Sequence, residues 1–178
     1  MAKKECRTLS LRGTFELADH ARIVDHQIFQ YESPARNIGW RITGAWIWPE
    51  TVAENTAGDH QATMTANLAT DTQGNPGGLM SVDDNRQCAW AYNAYYIRAD
   101  GANEFLNPIG LGLPDQRFLI DPDTVVTNAL YINAWMYSEA ADSPERTWNY
   151  MVTLESMSIT PSESILQQLK GIGQDIDN

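Results

Sequence analysis

Apolar and polar residues alternate with a period of two along most of the chain, the pattern of strands that bury one face. Residues 8–15 set Leu9 and Leu11 against Thr8, Ser10 and Arg12. The stretch from Ile23 to Tyr31 reads as a kinked strand, although residues 17–24 are equally compatible with a helical turn. In 39–48 the alternation places Trp40, Ile42, Gly44, Trp46 and Trp48 on one side and Arg41, Thr43, Ala45 and Ile47 on the other, and Pro49 ends the strand. Residues 61–70 predict Ala62, Met64, Ala66 and Leu68 facing inward, with Thr63, Thr65, Asn67 and Ala69 outward. Further strands are expected at 88–98, 117–120, 124–137 and 147–158, the last alternating Trp148, Tyr150, Val152 and Leu154 against Asn149, Met151, Thr153 and Glu155. Between them, 71–87 and 99–116 are rich in Gly, Asn, Asp and Pro and read as two long loops, while Asp121-Pro122-Asp123 reads as a turn.

Strand follows strand, with no βαβ alternation, no internal repeat and no low-complexity linker. The expected fold is all-β: one antiparallel domain, a sandwich or a barrel, spanning 1–178. One helix is signalled, over 160–172. Thr160 supplies a cap, Pro161 occupies the first helical position, and Glu163 stands three residues after the cap. Ile165, Leu166, Leu169 and Ile172 form an apolar stripe, and Gly171 and Gly173 stop the helix. So short a helix is unstable alone in water, so the stripe must dock either on its own sandwich or on a neighbouring subunit.

Composition narrows the function classes. A hydrophobic content of 43% with 20% charged residues excludes wholesale disorder. No apolar run is long enough to span a bilayer, and the first residues carry no apolar signal-like core, so synthesis in the cytoplasm and no membrane partner are expected. Twelve basic against 23 acidic residues give a net charge of −11, which opposes binding of phosphate chains by the body of the domain. Lys3, Lys4 and Arg7, in a basic arm over 1–7, are the candidate contacts for nucleic acid. Cys6 and Cys88 form neither a disulfide framework nor a zinc pattern, and Cys88 reads as a buried thiol.

Candidate chemistry is sparse. The three histidines, His20, His26 and His60, lack metal-motif spacing, and no nucleophile elbow or zinc-protease motif is present. Residues 71–78 share the oxygen-rich character of a calcium loop but lack its closing glutamate. Asp83, Asp84, Asp121 and Asp123 remain candidates for a cation, with turn chemistry as the simpler account of the Asp-Pro-Asp. No catalytic residue, cofactor or metal is expected. Six tryptophans and seven tyrosines, among them Trp90, Tyr95 and Tyr96, read as core or subunit interface, with a sugar- or base-stacking platform as the alternative.

Residues 117–172 carry a resemblance. RFLIDPDTVVTNALYINAWMYS, an acidic turn, and NYMVTLESMSITPSESILQQLKG together resemble β-rich virion proteins of small tailless viruses known mainly from environmental sequences. The resemblance implies a jelly-roll capsid subunit located in the virion. It would assemble in many copies with itself and with other virion proteins, without catalysis, using the helix residues Ile165, Leu166, Leu169 and Ile172 and the long loops. The competing expectation is a carbohydrate- or ligand-binding sandwich module.

Overall fold

The computed structural model describes residues 7–31, 37–50, 60–74, 79–97, 107–108, 116–138 and 145–172. The strands are β1 (Thr8–Leu17), β2 (Arg22–Gln30), β3 (Ile38–Pro49), β4 (His60–Ala69), β5 (Gln87–Ile97), β6 (Asn107–Pro108), β7 (Leu119–Ile120), β8 (Ala129–Ser138) and β9 (Arg146–Ser158), followed by α1 (Pro161–Ile172). One sheet has the order β1-β9-β3 and the other β2-β8-β4-β5-β6, with β7 also pairing β5. Every named strand pairing is antiparallel.

Successive strands cross between the sheets: β1 lies in the first, β2 in the second, β3 in the first, β4 and β5 in the second, β8 in the second and β9 in the first. The segment from Arg117 to Val126 runs along the free edge of β3. Arg117 bridges Trp46 and Val126 bridges Trp40, both antiparallel. Phe118 N–H donates to Ala45 O at 3.0 Å, and the Trp40 and Val126 amides exchange two bonds of 2.8 Å. Between these bridges Leu119 and Ile120 leave β3 and pair with Trp90 and Ala89 of the other sheet. This interrupted strand completes a fourth position in the first sheet and closes one side of the sandwich. The result is the double Greek-key wrapping of a jelly roll.

The core lies between the inner faces. Ile47, Leu154, Val152 and Trp148 from one sheet meet Met64, Leu68, Ile132 and Met136 from the other, all essentially removed from water. The alternation read in β1 and β9 is present as predicted, with Leu9, Leu11, Phe15 and Leu17 inward beside Leu154, Val152 and Trp148. Close approach needs glycine at one point: a Cβ at Gly13 would meet the Tyr150 ring at 2.6 Å.

One expectation is corrected. The five alternating residues Trp40 to Trp48 do not share a face. The register of β3 against β9 shifts between Ile42 and Gly44, and this bulge turns every later residue over. Trp40 and Ile42 point inward, but Ala45 and Ile47 then take the core positions and Trp46 and Trp48 become half-exposed. The Trp46 ring lies over Gly44, where a Cβ would sit 2.8 Å from its Cζ3. Asn67 and Ala69 do lie on the outer face, as expected, yet both are buried, because the following loop folds back over this part of the sheet. The segment 17–24, open between strand and turn, divides: β1 ends at Leu17, a turn with His20 at φ 56° follows, and β2 begins at Arg22. The kink read in β2 is real and consists of two register shifts against β8.

Candidate assembly surface

The outer face of the second sheet falls into two parts. The first lies under the described loop residues 70–74 and 79–86. Paired residues in adjacent strands share a face, and Asn67 pairs with both Trp90 and Asn133. Asn133 Nδ2 donates to Asn67 Oδ1 at 2.9 Å and to Gln73 Oε1 at 3.0 Å, while Asn67 Nδ2 donates to Gln73 Oε1 at 3.1 Å and to Leu79 O at 3.0 Å. Gln73 Nε2 passes the chain of bonds to Asp84 Oδ2 at 2.8 Å. Asp84 is gripped by Arg86 through Nε at 2.9 Å and Nη2 at 3.0 Å, and Arg86 Nη1 donates to Thr72 O at 3.2 Å. Burial pushes the Asp84 carboxyl up, but the hydrogen bonds and charge of Arg86, with help from Gln73, outweigh it and hold the group below its ordinary value.

Asp25 fastens the loop from the other side. It sits at the first irregularity of β2 with φ 56°, a conformation rare for a residue with a side chain. Its N–H donates to Asn133 Oδ1 at 2.6 Å. Its carboxylate accepts from the Gln73 and Gly74 amides at 2.7 and 2.9 Å. The carboxylates of Asp25 and Asp84 are thus each engaged by donors within the fold, the arrangement of a buried polar clamp.

The second part of this face is open and aromatic. The row across the strands reads Tyr92, Thr65, Trp135, Arg22. Tyr137 lies two residues along from Trp135, and Leu119 is paired beside Trp90. Tyr92 is 58% exposed and Leu119 73%. The Arg22 guanidinium lies 5.6 Å from the centre of the Trp135 ring. His20 meets Tyr137 edge to face at 4.8 Å, and Trp135 is tilted by 51° to Tyr137. Trp135 and Tyr137 therefore share no plane, and Arg22 stands over the Trp135 ring.

The helix is the third feature. Both halves of the predicted capping box form: Glu163 N–H donates to Thr160 Oγ1 at 3.2 Å, and Thr160 N–H donates to Glu163 Oε2 at 2.6 Å. The backbone and side-chain bonds from Thr160 hold the Glu163 carboxyl below its ordinary value. The side that α1 turns to the body is polar, with Ser164 buried and Gln167 and Gln168 half-buried at i, i+3 and i+4. The apolar stripe points away: Ile165 is 44% exposed, Leu166 61% and Leu169 53%. Docking of the stripe on its own sandwich, one of the two expectations, does not occur at these three residues. The Ile172 side chain lies outside the described residues.

Other predicted residues are scattered. Arg7 is exposed, and its backbone extends β1 by accepting from the Ser156 amide at 2.8 Å. Lys3, Lys4, Cys6, and the Tyr95, Tyr96 and His60 side chains lie outside the described residues. Cys88 is fully buried, and burial drives its thiol far up. His26 is half-buried between Phe15 and Tyr150 rather than at the surface. Asp121 caps its own turn by accepting from the Asp123 amide and the Thr124 hydroxyl at 3.1 and 2.5 Å, and Asp83 accepts from the Ser81 hydroxyl. Among the described residues no group of three His, Cys, Asp or Glu is placed to hold a metal ion. Likewise, no helix of the described residues is long and apolar enough to cross a membrane. Sequence reasoning missed the open patch. Its signal was present in 134–137, where Trp135 and Tyr137 alternate with the core residues Ala134 and Met136.

No family model matches the chain, and no curated protein does so. Among solved structures it has a distant likeness to the decameric BFDV capsid protein, at 12% identity over 88% of this chain and 100% of that one, with a TM-score of 0.21. Such a score carries no argument about fold or function, and the jelly-roll assignment rests on the strand order alone.

Proposed function

We propose that this protein is a structural subunit that works by multivalent self-association, as the shell protein of a virion, in contact with other virion proteins and without catalysis. The observation that carries this reading is the orientation of α1. A helix that caps itself well, turns its polar side to the body and holds three large apolar side chains in water is built for a surface outside the subunit. Leaving those side chains exposed forgoes on the order of 1.5–3 kcal/mol each relative to full burial. The resemblance of residues 117–172 to virion proteins and the jelly-roll wrapping support the same reading, since rigid sandwiches of this type tile well through their loops and edges. In this reading Lys3, Lys4 and Arg7 supply such contact with the genome as the acidic body does not.

The test is the mass of the native protein across a concentration series, by light scattering and electron microscopy. Oligomers or closed particles are expected. A monomer that persists at millimolar concentration, and that no particle contains, overturns the reading.

A further inference from the structure

We propose that the open aromatic patch on the second sheet is the docking site for α1 of a second copy of this chain, giving a head-to-tail contact. The inference rests on the self-association reading and specifies its interface. It joins two surfaces that the subunit leaves exposed separately. One is the patch of Tyr92, Trp135, Tyr137 and Leu119 with Arg22 and His20 at its rim. The other is the stripe of Ile165, Leu166 and Leu169, with the exposed acid Glu163 one turn earlier.

The chemistry of the two sides is complementary. Apolar residues at i and i+4 with an intervening neighbour are the anchors by which an amphipathic helix seats on an apolar surface. Trp, Tyr and Arg are the side chains that dominate binding energy at protein interfaces. Charge points to the same occupant. Among the described residues the Arg22 guanidinium contacts the Trp135 ring and has no carboxylate partner, and the helix carries the exposed acid Glu163 beside its apolar stripe. This local pairing of Arg22 with Glu163 is what orients the helix on the patch, against the general repulsion of two acidic chains. Arg22 also occupies the Trp135 face that a competing occupant, a glycan, would stack on. The contact joins different surfaces on the two copies, so it propagates from subunit to subunit and closes into a ring or shell when the rotation permits.

Two full-length variants test this. R22E/Y92S alters the patch, and L166E/L169E alters the helix; all four side chains are solvent-accessible, and unchanged circular dichroism spectra confirm folding. At a concentration where the wild type associates, each variant alone is expected to sediment as a monomer, with association at least tenfold weaker. Mixed in equal amounts, each still contributes one intact half, so the pair is expected to form 1:1 heterodimers and nothing larger. The inference is overturned if either variant assembles like the wild type, or if the mixture stays monomeric. It is also overturned if R22E/Y92S assembles normally but loses retention on immobilised glycans. In each of those cases wild-type assembly survives and the self-association reading stands. A wild type that never associates removes that reading itself.

Discussion

The two halves of the outer face of the second sheet are built on the same three strands, yet they are finished in opposite ways. Over Asn67 and Asn133 the chain returns as a loop and meets the buried amides with Gln73, the Leu79 carbonyl, Asp84 and Arg86. Two residues further along the same strands, Tyr92 is 58% exposed and Thr65 and Trp135 are half-buried. Polar groups taken out of water must find partners inside the molecule, because an unmet buried donor or acceptor is costly. Aromatic and aliphatic groups impose no such local condition, and can wait for a surface that arrives from outside. The covered half is thus a feature of folding, and the open half is the one that our proposal assigns to association.

The comparison is broken most severely at Arg86. R86A removes two charged hydrogen bonds from the part-buried carboxylate of Asp84 and the bond to the Thr72 carbonyl, and is expected to cost about 2–3 kcal/mol of monomer stability, read from the urea midpoint. N133L leaves Asn67 and the Asp25 amide short of partners and is expected to cost roughly 1–3 kcal/mol. Acid titration sharpens the same point. The Asp84 carboxyl is held below its ordinary value in the fold, so its contribution is present above the unfolded-state carboxylate pKa and is lost as pH falls through the lower, folded value. The urea midpoint of the wild type should therefore drop across that window, and D84N should show a shallower drop together with a lower midpoint at neutral pH. At the helix, T160A removes one half of the capping box and should cost about 1 kcal/mol, visible as faster amide exchange in α1. In the open half, R22A should change monomer stability by less than about 0.5 kcal/mol while weakening association. A monomer destabilised by R22A as strongly as by R86A would mean that the two halves do not differ as described.

Much of the architecture was legible along the chain. Strand positions, the antiparallel sandwich, the Asp121 turn and the capping box at Thr160 all follow from local periodicity and local hydrogen-bonding chemistry, and local rules survive folding. Faces were less legible than strands. A single extra residue near Thr43 reversed Trp46 and Trp48, and no count of alternating residues reveals a bulge that exists only relative to a partner strand. The loop 71–87 was visible as polar and turn-rich, but the way Gln73 and Gly74 are fastened over the sheet depends on Asp25, distant in sequence, adopting a positive φ. The apolar stripe of α1 could be named residue by residue, whereas its direction could not, because both sides of a short helix compete for the body and here Ser164, the smaller residue, faced inward.

By itself the sequence determined which segments are extended, where the helix starts, and that the chain is acidic with little catalytic inventory. The tertiary structure alone decided which aromatic residues are core and which are surface, which polar residues are sealed under the loop, and which apolar groups stay exposed. The physical reason is range. Periodicity and capping act between near neighbours in the chain, while burial is settled by segments that meet across the fold.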